Sequence, residues 1–123
     1  MVPKAASYNL HEVVKHVKSG IVLVQEPWTH VDQIRAKLRG WKLFQGNRDG
    51  ERPRACVYVT PDLNCHLMPM YSDRDVVSVK IKNVCRDGDS YILASAYMAH
   101  EEAAPHATVR ELVSDCEKEK KSQ

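Results

Sequence analysis

The spacing of apolar residues predicts a helix near each end of the chain and a third helix between the first two strands. In both terminal regions, apolar residues recur at i, i+3, i+4 and i+7, which is the stripe of an amphipathic helix. In chain order they are Leu10, Val13, Val14 and Val17, then Val109, Leu112, Val113 and Cys116. The third helix is expected to begin at Thr29 as its cap, to bury Val31, Ile34 and Leu38, and to end at Gly40.

The segments between these helices have the composition of strands. Residues 21–24 form the unbroken apolar run Ile-Val-Leu-Val, which is typical of an interior strand buried on both faces. Residues 55–59 and 66–70 flank the turn-forming residues 61–64 and predict a hairpin. Residues 77–81 alternate apolar with polar positions, which predicts a strand with one face in water. Further strands are expected at residues 41–44 and 91–97. This order of elements favours an α+β fold.

Composition limits the protein to one small domain. The chain has 123 residues, 43% hydrophobic and 28% charged, as in ordinary globular proteins. Residues 1–116 are expected to form the domain, and residues 117–123 a disordered, charged tail. A net charge of +2 is too small to indicate a nucleic-acid or membrane partner by itself. No apolar run approaches the roughly 20 residues of a membrane span and no secretory leader is recognisable, so an intracellular location without membrane contact is expected.

The cysteines do not indicate a metal or redox site. Cys56, Cys65, Cys85 and Cys116 stand far apart and include no Cys-x-x-Cys pair, whereas zinc and thioredoxin-like sites need closely spaced pairs. Each lies among apolar residues, where a thiol behaves as a small hydrophobic group. Free thiols are therefore expected.

Two polar side chains stand at the carboxyl ends of predicted strands, where open α/β sheets place their ligand sites. Glu26 follows the run at residues 21–24, and Tyr97 closes the last apolar strand. A carboxylate can be one ligand of Mg²⁺, which also takes waters and phosphate oxygens, and a phenol can donate a hydrogen bond to a phosphate. Pro27 is expected to hold Glu26 in extended backbone. Glu26 could equally just lead the chain out toward Trp28, and Tyr97 could close the edge of the sheet.

Four arginines are candidates for phosphate contacts. Arg74, which precedes the alternating strand, can pair with a neighbouring aspartate, reach a phosphate or lie in a solvated loop, which is the commoner outcome. Residues 46–53 form a charged, glycine-bearing loop that contains Arg48 and Arg52 and directly precedes Arg54. This basic loop could bind nucleic acid electrostatically.

Four segments stand in an order that is more specific than any one of them. They are residues 24–28 (VQEPW), 54–59 (RACVYV), 73–79 (DRDVVSV) and 94–98 (ASAYM). Together they resemble the N-terminal half of the endonuclease domain of non-LTR retrotransposons. Those domains belong to the endonuclease/exonuclease/phosphatase superfamily, which includes DNase I. The likeness runs from about residue 4 to residue 116, nearly the whole chain.

The resemblance implies a fold and a role for two residues. The implied fold is half of a two-sheet, DNase I-like α/β sandwich, with one mainly antiparallel sheet and three helices. By resemblance, Glu26 is the Mg²⁺-binding glutamate and Tyr97 the tyrosine that contacts the scissile phosphate, at a site where a metal-activated water attacks phosphorus. Mg²⁺ is the implied cofactor and DNA the implied partner, with the nucleus as a candidate compartment.

The resemblance also implies parts that these residues do not supply. The first strand of the family, with its Asn near the metal, has no counterpart, and neither the Gly-Asp-x-Asn segment nor the Asp-His pair of the second half is present. Since losing several catalytic groups costs orders of magnitude in rate, we expect an inactive fragment of a Mg²⁺-dependent endonuclease of retrotransposon origin. The sheet face that the other half would cover is expected to self-associate. The alternative is an interaction or weak nucleic-acid-binding module that uses this face and the basic loop.

Overall fold

A computed structural model describes residues 10, 12–82, 88–98 and 107–122, with side chains up to residue 118 in the last segment. The described chain contains eight strands, one long helix, a helical turn at residues 12–14 and a 3-10 helix at Pro69–Tyr71. The strands and the helix are β1 (Ile21–Gln25), β2 (Thr29–His30), β3 (Gln33–Ile34), β4 (Lys42–Phe44), β5 (Ala55–Val59), β6 (Asn64–Leu67), β7 (Val76–Lys82), β8 (Ser90–Ala96) and α1 (Ala107–Ser122). The mixture of helix and strand that the sequence predicts is confirmed.

Two three-stranded antiparallel sheets pack around one shared core. Their strand orders are β1-β5-β4 and β6-β7-β8, and β2 and β3 form a separate small hairpin. One face of β5 and one face of β7 bury their side chains in the same cluster, which also takes in a cysteine of β6. The buried members are Ala55, Val57, Val59, Cys65, Val77, Val79 and Ile81. Both walls of this core therefore come from this chain.

A second core covers the opposite face of β5. Cys56 and Tyr58 pack there with Ile34, Ala36 and Leu38, and with Val14 from the helical turn at the start of the chain. The hydroxyl of Tyr58 donates a hydrogen bond to the carbonyl of Ala36. Burial of one large apolar side chain contributes about 1.5–3 kcal/mol to the stability of the folded state. Because all five residues of β5 are buried, this strand is the centre of the fold.

This arrangement corrects several predictions about the strands. The sequence predicts one sheet, whereas the structure has two. The apolar sheet face that is expected to lie open is buried along β5. The strand buried on both faces is β5, whereas the run at residues 21–24 lies in β1, at the end of its sheet. An apolar run does not by itself show whether a strand lies at the centre or at the edge of a sheet, because β1 and β5 are equally apolar. The hairpin of residues 55–59 with 66–70 is also wrong: β1 and β4 occupy both edges of β5, so β6 pairs with β7.

The helix expected over residues 29–40 is wrong. Val31 has a left-handed φ of 56° between β2 and β3, and Asp32 fixes this turn by accepting a hydrogen bond from the Gly50 N–H, which lowers the pKa of the Asp32 carboxyl. Beyond the hairpin the chain is extended, and buried and exposed residues alternate. The buried residues are Ile34, Ala36 and Leu38, and the exposed ones Arg35, Lys37 and Arg39. Ile34 and Leu38 fit a helical stripe as well as an extended chain, but the alternation of Ile34, Ala36 and Leu38 with charged residues has the period of two of an extended chain. Apart from the 3-10 helix, the described residues thus contain two α-helical segments instead of three.

Helix α1 is fixed to the segment that leads into β7. The Tyr71 hydroxyl donates a 2.7 Å hydrogen bond to Asp115, which raises the pKa of Tyr71 to about 12. The Ser78 hydroxyl of β7 donates to the Tyr71 carbonyl, and Ser78 is fully buried, so the wet face predicted for residues 77–81 is wrong at Ser78. The helix continues through residues 117–122, where the sequence predicts a disordered tail. No helix in the described ranges is long and apolar enough to cross a membrane.

The close approach of Gly46 to the residues before β7 predicts a mutational effect. A Cβ atom at Gly46 would lie 2.9 Å from both the nitrogen and the oxygen of Asp73, and backbone atoms cannot move aside easily. We expect Gly46→Ala to lower the free energy of unfolding by about 1–3 kcal/mol in urea titrations. The control is Gly20→Ala, whose Cβ meets only the Cγ1 of Val17 at 3.3 Å, on a side chain that is 43% exposed. Equal stabilities for the two variants would contradict the close contact.

Candidate functional site

The ends of four strands meet on one side of the molecule. Glu26 follows β1 and Tyr97 follows β8, while Arg54 precedes β5 and Asp75 precedes β7. Since β1 is antiparallel to β5, and β7 to β8, each pairing brings the end of one strand beside the start of its partner. The Glu26 N–H donates to the Arg54 carbonyl over 2.8 Å, and the Tyr97 N–H donates to the Asp75 carbonyl over 2.8 Å. Both predicted site residues thus lie beside the starts of β5 and β7.

An ion pair between Arg54 and Asp75 joins the two sheets at this point. Arg54 donates from Nε to Asp75 Oδ1 over 2.5 Å and from Nη2 to Oδ2 over 2.7 Å. The guanidinium also lies over the Tyr97 ring, 4.8 Å from its centroid. The side chains of Arg54 and Asp75 are only 22% and 15% exposed, and a two-pronged pair in such a site fixes both partners in orientation. Stacking on the guanidinium adds a cation–π contact that holds the Tyr97 ring.

Side-chain hydrogen bonds tie β1 directly to β8 just before the candidate residues. Gln25 Nε2 donates to the Ala96 carbonyl over 2.6 Å, and the Ser95 hydroxyl donates to the Val24 carbonyl over 2.9 Å. Glu26 and Tyr97 each follow such a tie within two residues. Their relative position is therefore fixed from both sides, through Arg54 and through these ties.

Glu26 adopts a strained backbone conformation. Its φ is 51°, in the left-handed region, so the prediction of extended backbone before Pro27 is wrong. The hydrogen bond of the Glu26 N–H extends the β1–β5 ladder by one residue, after which the chain turns toward the buried Pro27. A left-handed φ costs a residue with a Cβ about 1–2 kcal/mol. Strain of this kind is concentrated at functional sites, and the Glu26 side chain is half-buried.

The described residues do not form a complete metal site. No group of three or more His, Cys, Asp or Glu side chains that could hold a metal ion occurs in the part of the chain that the structure describes. Glu26 offers one carboxylate, and Asp75 is bound to Arg54. Because Mg²⁺ takes one or two carboxylates together with waters and phosphate oxygens, these residues fit one ligand of a magnesium site and not the whole of it.

A polar cleft of about 400 Å³ lies next to the ion pair. It runs between the basic loop and the segment before β7, and Asp75 belongs both to its wall and to the ion pair. Arg74 is 42% exposed, and its Nε lies 3.7 Å from Asp75 Oδ1, as the sequence suggested in one of its alternatives. The lining residues are Gly46, Arg48, Glu51, Ser72, Asp73, Arg74 and Asp75.

Hydrogen bonds shape both walls of this cleft. In the basic loop, the Asn47 amide donates to the Glu51 carbonyl over 2.8 Å, and Glu51 Oε1 accepts from the Arg48 N–H over 2.9 Å. In the opposite wall, Asp73 Oδ1 accepts from the N–H groups of Asp75 and Val76, and its Oδ2 accepts from the Thr108 hydroxyl of α1. The cleft is therefore built from ordered loops.

The structure brings together some of the residues that the sequence singles out. Glu26, Tyr97 and Arg54 form one cluster, while Arg48 and Arg74 line the adjacent cleft. Arg52 is exposed and is not among the residues that line it. Arg54 was expected in a nucleic-acid-binding loop, but the structure places its guanidinium in the ion pair and against Tyr97.

Sequence reasoning missed Asp75 as the partner of Arg54. A usable signal was present, since both charges come immediately before apolar strands, within two of the segments that carry the family resemblance. A charge directly before a buried strand lies at the rim of a core, where an opposite charge is needed. The cysteines add nothing to the site: Cys56, Cys65 and Cys116 are free thiols, and burial raises the pKa of Cys56 to about 12. Cys85 lies outside the described residues.

The structure is similar to the endonuclease domain of TRAS1, a telomere-specific non-LTR retrotransposon, with a TM-score of 0.66 and 22% sequence identity. The chain has the fold of half of that domain. The match covers 98% of this chain and 49% of the TRAS1 domain, so the chain spans about half the length of the structure it matches. No protein-family model and no curated protein matches the sequence. The resemblance inferred from sequence is thus confirmed for the fold.

The two-pronged ion pair predicts that lysine cannot replace arginine at residue 54. A lysine has neither the second donor in the right plane nor a flat group to lie over the Tyr97 ring. We expect Arg54→Lys to lower the free energy of unfolding by about 1–3 kcal/mol in urea titrations, since Asp75 would lose part of its compensation.

A matched control and a mutant cycle make this test specific. Arg52→Lys changes an exposed neighbour and should alter stability by less than about 0.5 kcal/mol. In a double-mutant cycle with Asp75→Asn, the effects of Arg54→Lys and Asp75→Asn should be strongly non-additive. Additive effects would show that the ion pair contributes nothing of its own.

Proposed function

We propose that these residues are part of a Mg²⁺-dependent DNA endonuclease of retrotransposon origin, and that they do not cleave DNA by themselves. The observation that carries the proposal is the cluster in which Glu26 and Tyr97, far apart in sequence, lie beside one Arg54–Asp75 pair. The fold shared with half of the TRAS1 endonuclease domain supports a nuclease-related origin.

In this proposal the residues of the chain bind one phosphate. The phenol of Tyr97 donates a hydrogen bond to a phosphate oxygen, and Arg54 keeps the ring in place for it. Arg74 and Arg48, on the walls of the neighbouring cleft, attract the adjoining phosphates. Glu26 supplies a single ligand for Mg²⁺, which in a complete site activates the attacking water and neutralises the leaving oxygen. The described residues contain no group of three or more His, Cys, Asp or Glu side chains that could hold the ion.

The proposal predicts that the protein does not nick supercoiled plasmid DNA in the presence of Mg²⁺. The wild type and Glu26→Gln should both leave the plasmid supercoiled, because one carboxylate cannot hold and orient the metal. Agarose electrophoresis with DNase I as the positive control measures this. Nicking by the wild type that disappears in Glu26→Gln would contradict the inactivity while supporting the role of Glu26.

Binding tests the site independently of cleavage. In titrations with a short oligonucleotide, followed by amide NMR, we expect shifts centred on Glu26, Arg54 and Tyr97, and a smaller effect in Tyr97→Phe, which keeps the ring and removes the donor. Shifts confined to other surfaces would contradict the proposed phosphate site even if no nicking occurs.

An alternative function, nucleic-acid binding without any catalytic inheritance, is favoured by one observation. Arg48 and Arg52 are exposed on the basic loop, and Arg48 shares the cleft with Arg74. Exposed arginines attract a phosphate backbone regardless of sequence. Arg48 and Arg52 are the exposed cations of the loop, whereas the cleft is lined by Glu51, Asp73 and Asp75 as well. Here the basic loop, and not Glu26 with Tyr97, would determine affinity.

The alternative predicts salt-dependent binding that depends on the basic loop. Replacing both Arg48 and Arg52 by alanine should weaken DNA binding and flatten the slope of log K against log salt by about 0.7–0.9 for each phosphate that the variant no longer neutralises. The charge-matched control replaces Lys37 and Arg39, two exposed residues outside the loop, and should change affinity much less. Affinity that stays constant from low to physiological salt would exclude this function.

A further inference from the structure

The outer edge of β1 is an apolar strand edge that no other described strand covers. Within the described chain, β1 is paired on one side only, by β5. Its sequence is Ile-Val-Leu-Val-Gln, and it contains none of the lysines, prolines or bulges that usually protect an edge strand. Leu23, at its centre, is 46% exposed and belongs to neither buried cluster. Such an edge is a template for pairing with another strand.

The backbone of β1 offers a regular set of hydrogen-bonding groups along this edge. Hydrogen bonds to β5 flank the ladder at both ends: the Thr60 N–H donates to the Gly20 carbonyl, and the Glu26 N–H donates to the Arg54 carbonyl. In an antiparallel ladder, residues alternate between bonding the partner and facing away from it. Since Gly20 and Glu26 bond β5, the odd-numbered residues between them direct their N–H and C=O groups outward. These residues are Ile21, Leu23 and Gln25.

The side-chain hydrogen bonds between β1 and β8 do not use these outward backbone groups. Strand β8 belongs to the other sheet, and its contacts with β1 include hydrogen bonds through the side chains of Gln25 and Ser95. The acceptor on β1 is the carbonyl of Val24, which is an even-numbered residue and lies within the ladder to β5. A strand added beside β1 would therefore meet the backbone of Ile21, Leu23 and Gln25 directly.

We propose that β1 is a self-association edge at which two copies of this chain pair antiparallel about Leu23. In this register Leu23 faces its own copy and Ile21 faces Gln25, so each outward donor meets an acceptor. The strand carries no charge, so no like charges are brought opposite one another, which would be destabilising. The pairing is a two-fold, self-complementary contact. It joins two sheets into one of six strands, in the order β4-β5-β1-β1-β5-β4.

Charge substitutions at Leu23 test the register and not only the association. The wild type should sediment as a dimer whose dissociation depends on concentration. Leu23→Lys and Leu23→Glu should each weaken the dimer at least about tenfold, because like charges would face one another at the two-fold axis. An equimolar mixture of the two variants should recover the dimer, since Lys then faces Glu. The control is Val113→Lys on α1, where the apolar residue is 51% exposed, and it should leave the dimer unchanged.

A disulfide test avoids placing a charge in the strand. Residues that face each other as a hydrogen-bonded antiparallel pair have Cα atoms about 5.5 Å apart, which is within the range that a disulfide spans. Leu23→Cys should therefore form a covalent dimer on mild oxidation, whereas the wild type and Val113→Cys should not. Urea titration of each variant checks that it is folded, as expected for a residue outside both buried clusters.

Three results would overturn the proposal. They are a wild type that stays monomeric at all concentrations, a Leu23→Lys dimer as strong as the wild type, and a Lys and Glu mixture that remains monomeric. The test is independent of nuclease function, because neither Glu26 nor Tyr97 is altered.

Discussion

The fold depends on the burial of β5 on both of its faces. Its odd-numbered residues enter the core shared by the two sheets, and its even-numbered residues enter the core covered by the extended chain at residues 34–38. Because side chains alternate along a strand, a shift of β5 by one residue would exchange its side chains between the two cores and bring Arg54 or Thr60 into the core shared by the sheets. Its register is therefore held from two sides. Arg54, one residue before β5, inherits a fixed position from this constraint.

The candidate site is built outward from that fixed position. Arg54 holds Glu26 through its carbonyl, and Asp75 and the Tyr97 ring through its guanidinium. Two of these three contacts reach the other sheet, so the ion pair makes the site a property of both sheets together. The ion pair positions a carboxylate and a phenol on the same side of the molecule, where the ends of the two sheets meet. The function proposed above uses this arrangement for recognition of a phosphate, with one ligand toward a metal.

Sequence patterns predict where helices and strands lie better than they predict which strands pair with each other. The strand at residues 55–59 is predicted with the bounds that β5 has, and the strand at residues 91–97 lies within one residue of β8, because both runs are mainly apolar. The stripe of the terminal helix is also predicted, but the helix runs to Ser122 through residues that the sequence assigns to a disordered tail. Pairing was not predictable in the same way. Nothing in the turn at residues 61–64 reveals that both edges of β5 are already occupied by strands from earlier in the chain. The extended segment 34–38 was misread because Ile34 and Leu38 satisfy two periodicities.

For the site, sequence reasoning found the two residues to which a family resemblance points, and it missed the ion pair that holds them in position. Glu26 and Tyr97 belong to recognisable motifs, whereas the pairing of Arg54 with Asp75 depends on how two sheets face each other. The left-handed φ of Glu26 was also beyond reach, because the constraint from Pro27 is local and the hydrogen bond to Arg54 is not.

The hydrogen bonds of Asp73 connect helix α1 with the site. One carboxylate oxygen holds the backbone of Asp75 and Val76, and the other holds the Thr108 hydroxyl in the first turn of the helix. The helix is held a second time by the bond between Tyr71 and Asp115. Helix α1 is therefore joined at two points to the short stretch of chain that ends at Asp75. The docking of the helix and the orientation of the carboxylate that binds Arg54 are parts of one continuous hydrogen-bonded network.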